Sequence, residues 1–336
     1  MLTAGFGGGE RLFVDLCQAQ ADAGHRILAV CHPEFQGISE LVHDRIEVTH
    51  LKVRIDWSPL AHQRFKKMLA RFQTHVIHTH FARAASVAGG VGKALGVPVA
   101  ANLHNYVNLK YYRKIDHFFP GTEDQKKYLR ENGIIADRIT VVPHFSRLPV
   151  REEERIIFSG EPCFCSFGRF VHKKGFHVLL KSIKMLHDRG VPARLLLGGD
   201  GPEKENLKNQ IADLGLEGHV TLCDWIRDVP EVLEKSPFFV MPSLDEPFGI
   251  VMLEAMALGK VVLSTLSQGP SEVLDQETAY LFPVDDAAAM ALAMQAAFED
   301  GQQALDRAQK ARRRYLQLYA PDKVLPQFEK VYNKLI

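Results

Sequence analysis

Short apolar runs alternate with longer stretches of helical periodicity along most of the chain. Runs at 2–6, 26–31, 46–51, 76–80, 97–103, 117–120 and 139–143 predict strands. Between them, 10–23, 60–74, 82–95 and 123–132 space their apolar residues as one face of a helix does. Strand–helix alternation predicts a parallel sheet covered on both faces. A polar stretch at 147–155 reads as a linker, and then the pattern restarts. Strands are predicted at 156–159 or 163–167, then at 194–198, 220–223, 238–241 and 261–264. The helices between them fall at 175–189, 202–214, 229–235 and 250–258, and 287–336 is nearly all helix. Two doubly wound halves result, with ligands expected at the carboxyl ends of the strands and in a groove between the halves.

Composition adds limits rather than an answer. The 336 residues suit two domains, and 46% hydrophobic with 24% charged residues is an ordinary globular balance. A formal net charge of +1 gives no bulk electrostatic case for nucleic acid, so no such partner is expected. The charge is nevertheless divided. Residues 1–150 hold 19 Lys and Arg against 13 Asp and Glu, net +6, while 151–336 hold 22 against 27, net −5. A basic first half hints at an anionic partner there. Five cysteines match neither a disulfide framework nor a CxxC metal pair, and read as reduced. No signal peptide and no membrane-spanning run is evident, so a cytoplasmic protein is expected, peripheral to a membrane if it meets one.

The strongest chemical signal lies at 243–259, Ser-Leu-Asp-Glu-Pro-Phe-Gly-Ile-Val-Met-Leu-Glu-Ala-Met-Ala-Leu-Gly. A strand ends before it, and a very apolar helix opens near Gly249. The free amides of Phe248, Gly249, Ile250 and Val251 at that helix start suit a phosphate. Glu254, one turn into so apolar a helix, needs donors such as a ribose diol; a salt bridge would satisfy it equally. A second cluster, 168–175, puts Arg169 and Lys174 after a strand, where two cations could neutralise a departing diphosphate; a solvated basic loop has the same composition. A third, Gly7-Gly8-Gly9-Glu10, lets backbone approach a ligand, although strand-to-helix turns use glycine anyway. His104 ends the predicted strand 97–103, a place for ligand contact or for a core histidine. Gly269-Pro270-Ser271-Glu272 reads as an anion site or as an ordinary helix start. Neither a dinucleotide glycine fingerprint nor a phosphate loop with the Walker spacing is present.

Taken together, the residues resemble the family-4 retaining glycosyltransferases of the GT-B fold, over nearly the whole chain. The landmarks arrive in order: GGGE at 7–10, VIHTH at 76–80, NLH at 102–104, ITVVPH at 139–144, GRFVHKKG at 168–175, GGDGP at 198–202, EPFGIVMLEAMALGKVV at 246–262 and GPSEV at 269–273. The Glu246–Glu254 spacing, preceded by Arg169 and Lys174, is the most specific. One departure is His144-Phe145, where the family usually has Asn-Gly. The resemblance implies two Rossmann-like domains facing a cleft: 1–150 for acceptor, 151–315 for nucleotide sugar, and 316–336 as a helix crossing back to the first domain. It implies that Glu246 bonds the donor sugar's hydroxyls and Glu254 the ribose hydroxyls. Arg169 and Lys174 would grip the diphosphate with the amides near Gly249, Ile250 and Val251. Gly9 would approach the phosphate or acceptor, and His104 would sit beside the transferred sugar.

The expected activity is retaining transfer of a hexose-type sugar from a nucleotide diphosphate sugar to a glycan or lipid-linked saccharide, of lipopolysaccharide or surface-polysaccharide type. No cofactor is expected, and the absence of any Asp-x-Asp argues against a diphosphate-bridging metal. The rivals are a GT-B nucleotide-sugar epimerase and a non-catalytic nucleotide-sugar binding protein. The basic stretch 62–74, with Arg64, Lys66, Lys67 and Arg71 beside Phe65, Met68, Leu69 and Phe72, could lie on an anionic membrane surface or bury its apolar stripe in the core.

Overall fold

The fold was analysed in a computed structural model, which describes residues 1–53, 58–148, 160–226 and 228–336. The chain divides into two compact units, Met1–Arg147 with Tyr319–Ile336, and Leu148–Leu318. The predicted strand at 156–159 lies outside the described residues.

In the first unit, α1 (Gly8–Asp22), β1 (Ile27–Cys31), β2 (Ile46–His50), α2 (Pro59–Phe72), β3 (Ile77–His80), α3 (Ala82–Leu95), β4 (Val99–Leu103), β5 (His117–Pro120) and α4 (Glu123–Glu131) follow in order. The strands form two parallel sheets, β1-β2 and β3-β4-β5. Central strand β4 is buried at every position, as a strand covered on both faces must be. Local chemistry sets the helix starts. Ser58 caps α2 with Pro59 at the first helical position, and Thr122 caps α4. At α1 the Glu10 carboxylate accepts the Gly7 N–H at 3.1 Å and the Thr3 hydroxyl at 3.0 Å.

The predicted strands at 2–6 and 139–143 do not form. Of 2–6 and its neighbours, only Met1 joins the ladder beside β1. Segment 139–143 runs beside β5, where Thr140 and Val142 donate to Phe118 and Pro120, but the pairing stops at this fringe. An apolar run is a strand only where its backbone follows a neighbouring strand through a full ladder.

The second unit contains β6 (Cys163–Phe167), α5 (Phe176–Asp188), β7 (Arg194–Gly198), α6 (Lys204–Asp213), β8 (Val220–Cys223), α7 (Val229–Glu234), β9 (Phe238–Met241), α8 (Ile250–Ala257), β10 (Val261–Thr265), α9 (Gln268–Val273), β11 (Tyr280–Phe282), α10 (Ala287–Glu299) and α11 (Gly301–Arg314). Its six strands are parallel in the order β11-β10-β9-β6-β7-β8. The order reverses at β6, so the carboxyl ends of β6 and β9 flank a switch point of the kind that binds ligands in such sheets. A π-turn at Tyr315–Tyr319 then leads into α12 (Pro321–Leu335). That helix packs in the first unit, where Tyr332 accepts from Gln20 at 3.0 Å and Glu329 meets His25 at 3.1 Å.

Candidate active site

In the second unit the chain leaves β6 at Gly168 and passes Arg169, which is exposed. A single 3-10 turn, His172–Lys174, then aims two lysines at the loop after β9. Lys174 Nζ meets Glu246 Oε2 at 2.5 Å, and Lys173 Nζ meets Asp245 Oδ2 at 3.0 Å. The backbone joins the same loops, because Leu244 N–H donates to Lys173 C=O at 2.8 Å. Gly175 makes this approach possible. It sits at φ +68°, and a Cβ there would fall 1.9 Å from the Pro242 carbonyl oxygen.

Glu246 is 7% exposed, so its charge depends on its partners. Besides Lys174, its Oε2 accepts from the Ser243 hydroxyl at 3.3 Å. Its backbone is fixed as well, since Gly269 N–H donates to its carbonyl at 2.8 Å. The 269–272 segment therefore braces the Glu246 loop, within the six-residue helix α9. Helix α8 begins just beyond, after Gly249, with no side chain capping its first turn. Its leading amides thus keep donor capacity beside the Lys174–Glu246 pair. Phe248 and Ile250 are buried and Val251 half-buried around this start, and Glu254 is buried one turn further. Apart from Gly9, the predicted donor residues fall in this unit, and the loops that follow β6 and β9 bring Lys174 and Glu246 into contact.

Gly9 and His104 lie in the first unit and touch each other. A Cβ on Gly9 would stand 3.1 Å from His104 Cγ and Nδ1 and 2.5 Å from Phe81 Cζ. His104 Nε2 pairs with His80 Nδ1 at 3.0 Å, whereas its Nδ1 is buried without a hydrogen-bond partner among the described residues. His80 stacks on His78, which pairs with Asn102 Oδ1 at 2.5 Å and with the Tyr332 hydroxyl. His144 lies against His104, ring centroids 5.3 Å apart, so the departure at 144 contributes to this cluster. Burial is the main cause that keeps all four neutral. It lowers His78 to about 4 and His144 to about 3, and holds His80 and His104 well below the ordinary histidine value.

Comparison with known proteins decides the family. The model described as Glycosyl transferases group 1 matches residues 151–314, and the Glycosyltransferase Family 4 model matches 6–145. The chain is 30% identical over 301 residues to the lipopolysaccharide core biosynthesis glycosyltransferase LpsE of Rhizobium meliloti, spanning 86% of this chain and 85% of that one. It belongs to the group 1 glycosyltransferases of the GT-B fold. This glycosyltransferase is also 27% identical over 331 residues to a phosphatidyl-myo-inositol mannosyltransferase of Mycolicibacterium smegmatis, covering 88% and 82% of the two chains. The Anabaena protein Alr3699/HepE, solved with UDP-glucose, superposes at a TM-score of 0.86 with 18% identity, covering 99% and 98% of the chains.

Three neighbours of the candidate residues are not evident in the sequence pattern. Phe81 precedes α3 at φ +68°, ψ 160°, a strained conformation for a non-glycine residue, with its ring centroid 4.7 Å from that of His104. No sequence signal marks it. His80 and His144 are visible as histidines, but only the pairing of β3 with β4 and the course of 139–144 beside β5 bring them against His104. The apolar stripe of α2 is buried, with Phe65 and Leu69 in the core, while Arg64, Lys66, Lys67 and Arg71 are exposed. Among the described residues no helix is long and apolar enough to cross a membrane.

Proposed function

We propose that this glycosyltransferase moves a hexose from a nucleotide diphosphate sugar to a saccharide of the lipopolysaccharide-core or glycolipid type, with retention at the anomeric carbon. The observation that carries this reading is the Lys174–Glu246 pair beside the uncapped start of α8. It sets a cation, a carboxylate and free amides at the switch point of one sheet. The activities of the lipopolysaccharide-core and phosphatidylinositol relatives support the acceptor class, and the UDP-glucose complex of the structural neighbour supports the donor class.

On this reading the diphosphate lies against the α8 amides, with Arg169 and Lys174 neutralising it. As the glycosidic bond breaks, negative charge grows on the leaving phosphate, and fixed cations and amides stabilise that charge more than they stabilise the ground state. Glu246 holds the sugar hydroxyls through its free oxygen while Lys174 fixes the other, and Glu254 takes the ribose diol. No side chain at this site is assigned as a nucleophile. The acceptor hydroxyl attacks on the face the leaving group departs from, and the leaving phosphate takes its proton. His104, neutral and with a free Nδ1, contacts the transferred sugar, with Gly9 packed beside it. No metal takes part in this reading.

With the apolar stripe of α2 buried, contact with an anionic membrane surface would rest on the exposed basic face alone, so it should vanish as salt rises. Flotation with vesicles containing anionic lipid tests this, and no flotation at low salt would remove the membrane from the proposal. For the reaction itself, a panel of UDP-, GDP- and ADP-hexoses with a lipopolysaccharide-core acceptor is followed by NMR of the new linkage. Retained anomeric configuration is expected. An inverted product, or turnover of donor to a free epimer without acceptor, would overturn the reading.

A further inference from the structure

Strand β3 carries its side chains on alternate faces, so His78 and His80 share one face and Ile77 and Thr79 the other. Extended backbone continued by one residue would send the side chain of 81 to the face of Ile77 and Thr79. Phe81 instead joins His80 against His104. Its φ of +68° with ψ of 160° lies in a region essentially confined to glycine. Gln73, also at positive φ, is in the ordinary left-handed region that ends a helix, so Phe81 is a different case. The Phe81 backbone is held by α3, whose Ala85 N–H donates to its carbonyl at 3.1 Å.

Two consecutive residues therefore meet one ring. His80 Nδ1 pairs with His104 Nε2 at 3.0 Å, with ring centroids 5.1 Å and planes 25° apart, as a hydrogen bond in the plane of both imidazoles requires. That bond alone leaves the His104 ring free to rock about it. The Phe81 ring, at 4.7 Å and 31°, takes that freedom away. Its far end reaches Gly9, where a Cβ would stand 2.5 Å from Phe81 Cζ. Packing alone does not account for the strained backbone. Phe81 is only half-buried, at the margin of the small cluster around Phe13 and Phe35, and ordinary extended backbone can bury a phenyl ring on either face of a strand.

We propose that Phe81 is a positioning residue for sugar transfer: its strained backbone brings the phenyl ring to His104 and, with His80, holds that imidazole in one orientation toward the transferred sugar. This rests on the reading in which His104 contacts that sugar. The strain is held in the free enzyme, so the imidazole is set before the donor arrives and no binding energy is spent on orienting it. Loss of the phenyl ring therefore lowers kcat and leaves KM nearly unchanged, because the donor's diphosphate is gripped elsewhere.

The experiment compares the parent with Phe81→Gly, Phe81→Ala, Phe81→Leu and His104→Ala. Each is followed by thermal melting, by turnover of UDP-, GDP- and ADP-hexoses, and by NMR of the imidazole nitrogens, the His104 signals being those lost in His104→Ala. Phe81→Gly should melt roughly 3–8 °C above Phe81→Ala, because glycine adopts this backbone freely. Its kcat should nevertheless fall at least about 10-fold, with KM within about 3-fold of the parent. Phe81→Leu, which keeps an apolar side chain beside the imidazole, should recover most of that kcat. The His104 nitrogens should show one tautomer in the parent and exchange-averaged signals in Phe81→Gly. A parent-like His104 spectrum in Phe81→Gly would overturn the proposal, and so would rate losses that follow melting temperature across the variants. Parent-like kcat in Phe81→Gly beside a slow His104→Ala would overturn the proposal alone. Parent-like kinetics in His104→Ala would overturn the underlying reading of His104, and the proposal with it.

Discussion

Replacing Lys174 with methionine removes the cation paired, among the described residues, with a carboxylate that is 7% exposed. Glu246 Oε2 would keep only the Ser243 hydroxyl, at 3.3 Å, of the partners described. Breaking a fully buried pair costs about 3–5 kcal/mol because the orphaned charge stays desolvated. Here the lysine side chain is 24% exposed, so water can reach the orphan, and a cost of about 2–3 kcal/mol is the appropriate figure. For a unit of this size that lowers the melting temperature by roughly 6–10 °C. Glu246→Gln should be milder, and Lys174→Met with Glu246→Gln together should return stability to within about 1 kcal/mol of the parent, since neither charge is then stranded. Activity should behave differently. If both side chains meet the donor in the transition state, each single variant should lose about 100- to 1000-fold in kcat/KM, and the double variant should recover none of it. Thermal melts and initial rates on the four proteins settle the matter. Turnover that recovers together with stability would reduce the pair to a structural brace and refute the reasoning.

Further outcomes can be checked in the same way. Gly9→Ala drives a methyl to within 2.5 Å of the Phe81 ring and 3.1 Å of His104, so it should cut kcat/KM by at least about 10-fold with little loss of stability, and unchanged kinetics would separate Gly9 from the site. The first unit should be labile in mild acid. Its four buried neutral histidines have folded pKa values below the unfolded one, so the unfolded state gains protons as pH falls through about 6.5 and stability drops. Between pH 7 and 5.5 this amounts to about 5 kcal/mol for the four. Asp15 opposes it: burial raises its carboxyl to about 7, so its folded form binds a proton first, and it returns roughly 2 kcal/mol over the same interval. A net loss of about 3 kcal/mol in urea titrations is expected, steeper in Asp15→Asn, and a flat profile would contradict the neutral cluster. Turnover in EDTA should match turnover in Mg²⁺, and a rate that collapses in EDTA and returns with the metal would refute the metal-free reading.

Much of the fold is readable from sequence because parallel α/β units write their strands as continuous apolar runs. Strand β4 stands out because it is buried on both faces, and α8 because a helix so apolar on every side, opening behind Gly249, must be buried in the core. The misreadings share a cause. Residues 2–6 and 139–143 have strand-like composition, but how far a run follows a neighbouring strand is a tertiary property that composition does not carry. The stripe of α2 is ambiguous in sequence because a core-facing and a membrane-facing helix share one periodicity. At the candidate site, Lys174 and Glu246 are legible singly, whereas their pairing depends on Gly175 letting its turn pass within contact of the Pro242 carbonyl. Phe81 is invisible in sequence, since no local motif marks its φ of +68° or its place against Gly9 and His104.

The most direct test of the central claim is calorimetric titration with nucleoside mono- and diphosphates in EDTA, using UDP against UMP and GDP against GMP. If Arg169, Lys174 and the leading amides of α8 hold the diphosphate, the favoured diphosphate should bind at least about 100-fold more tightly than its monophosphate, and Arg169→Ala with Lys174→Ala should bring that ratio close to one. A wild-type protein that binds both alike, or a ratio untouched by the two substitutions, would contradict the account.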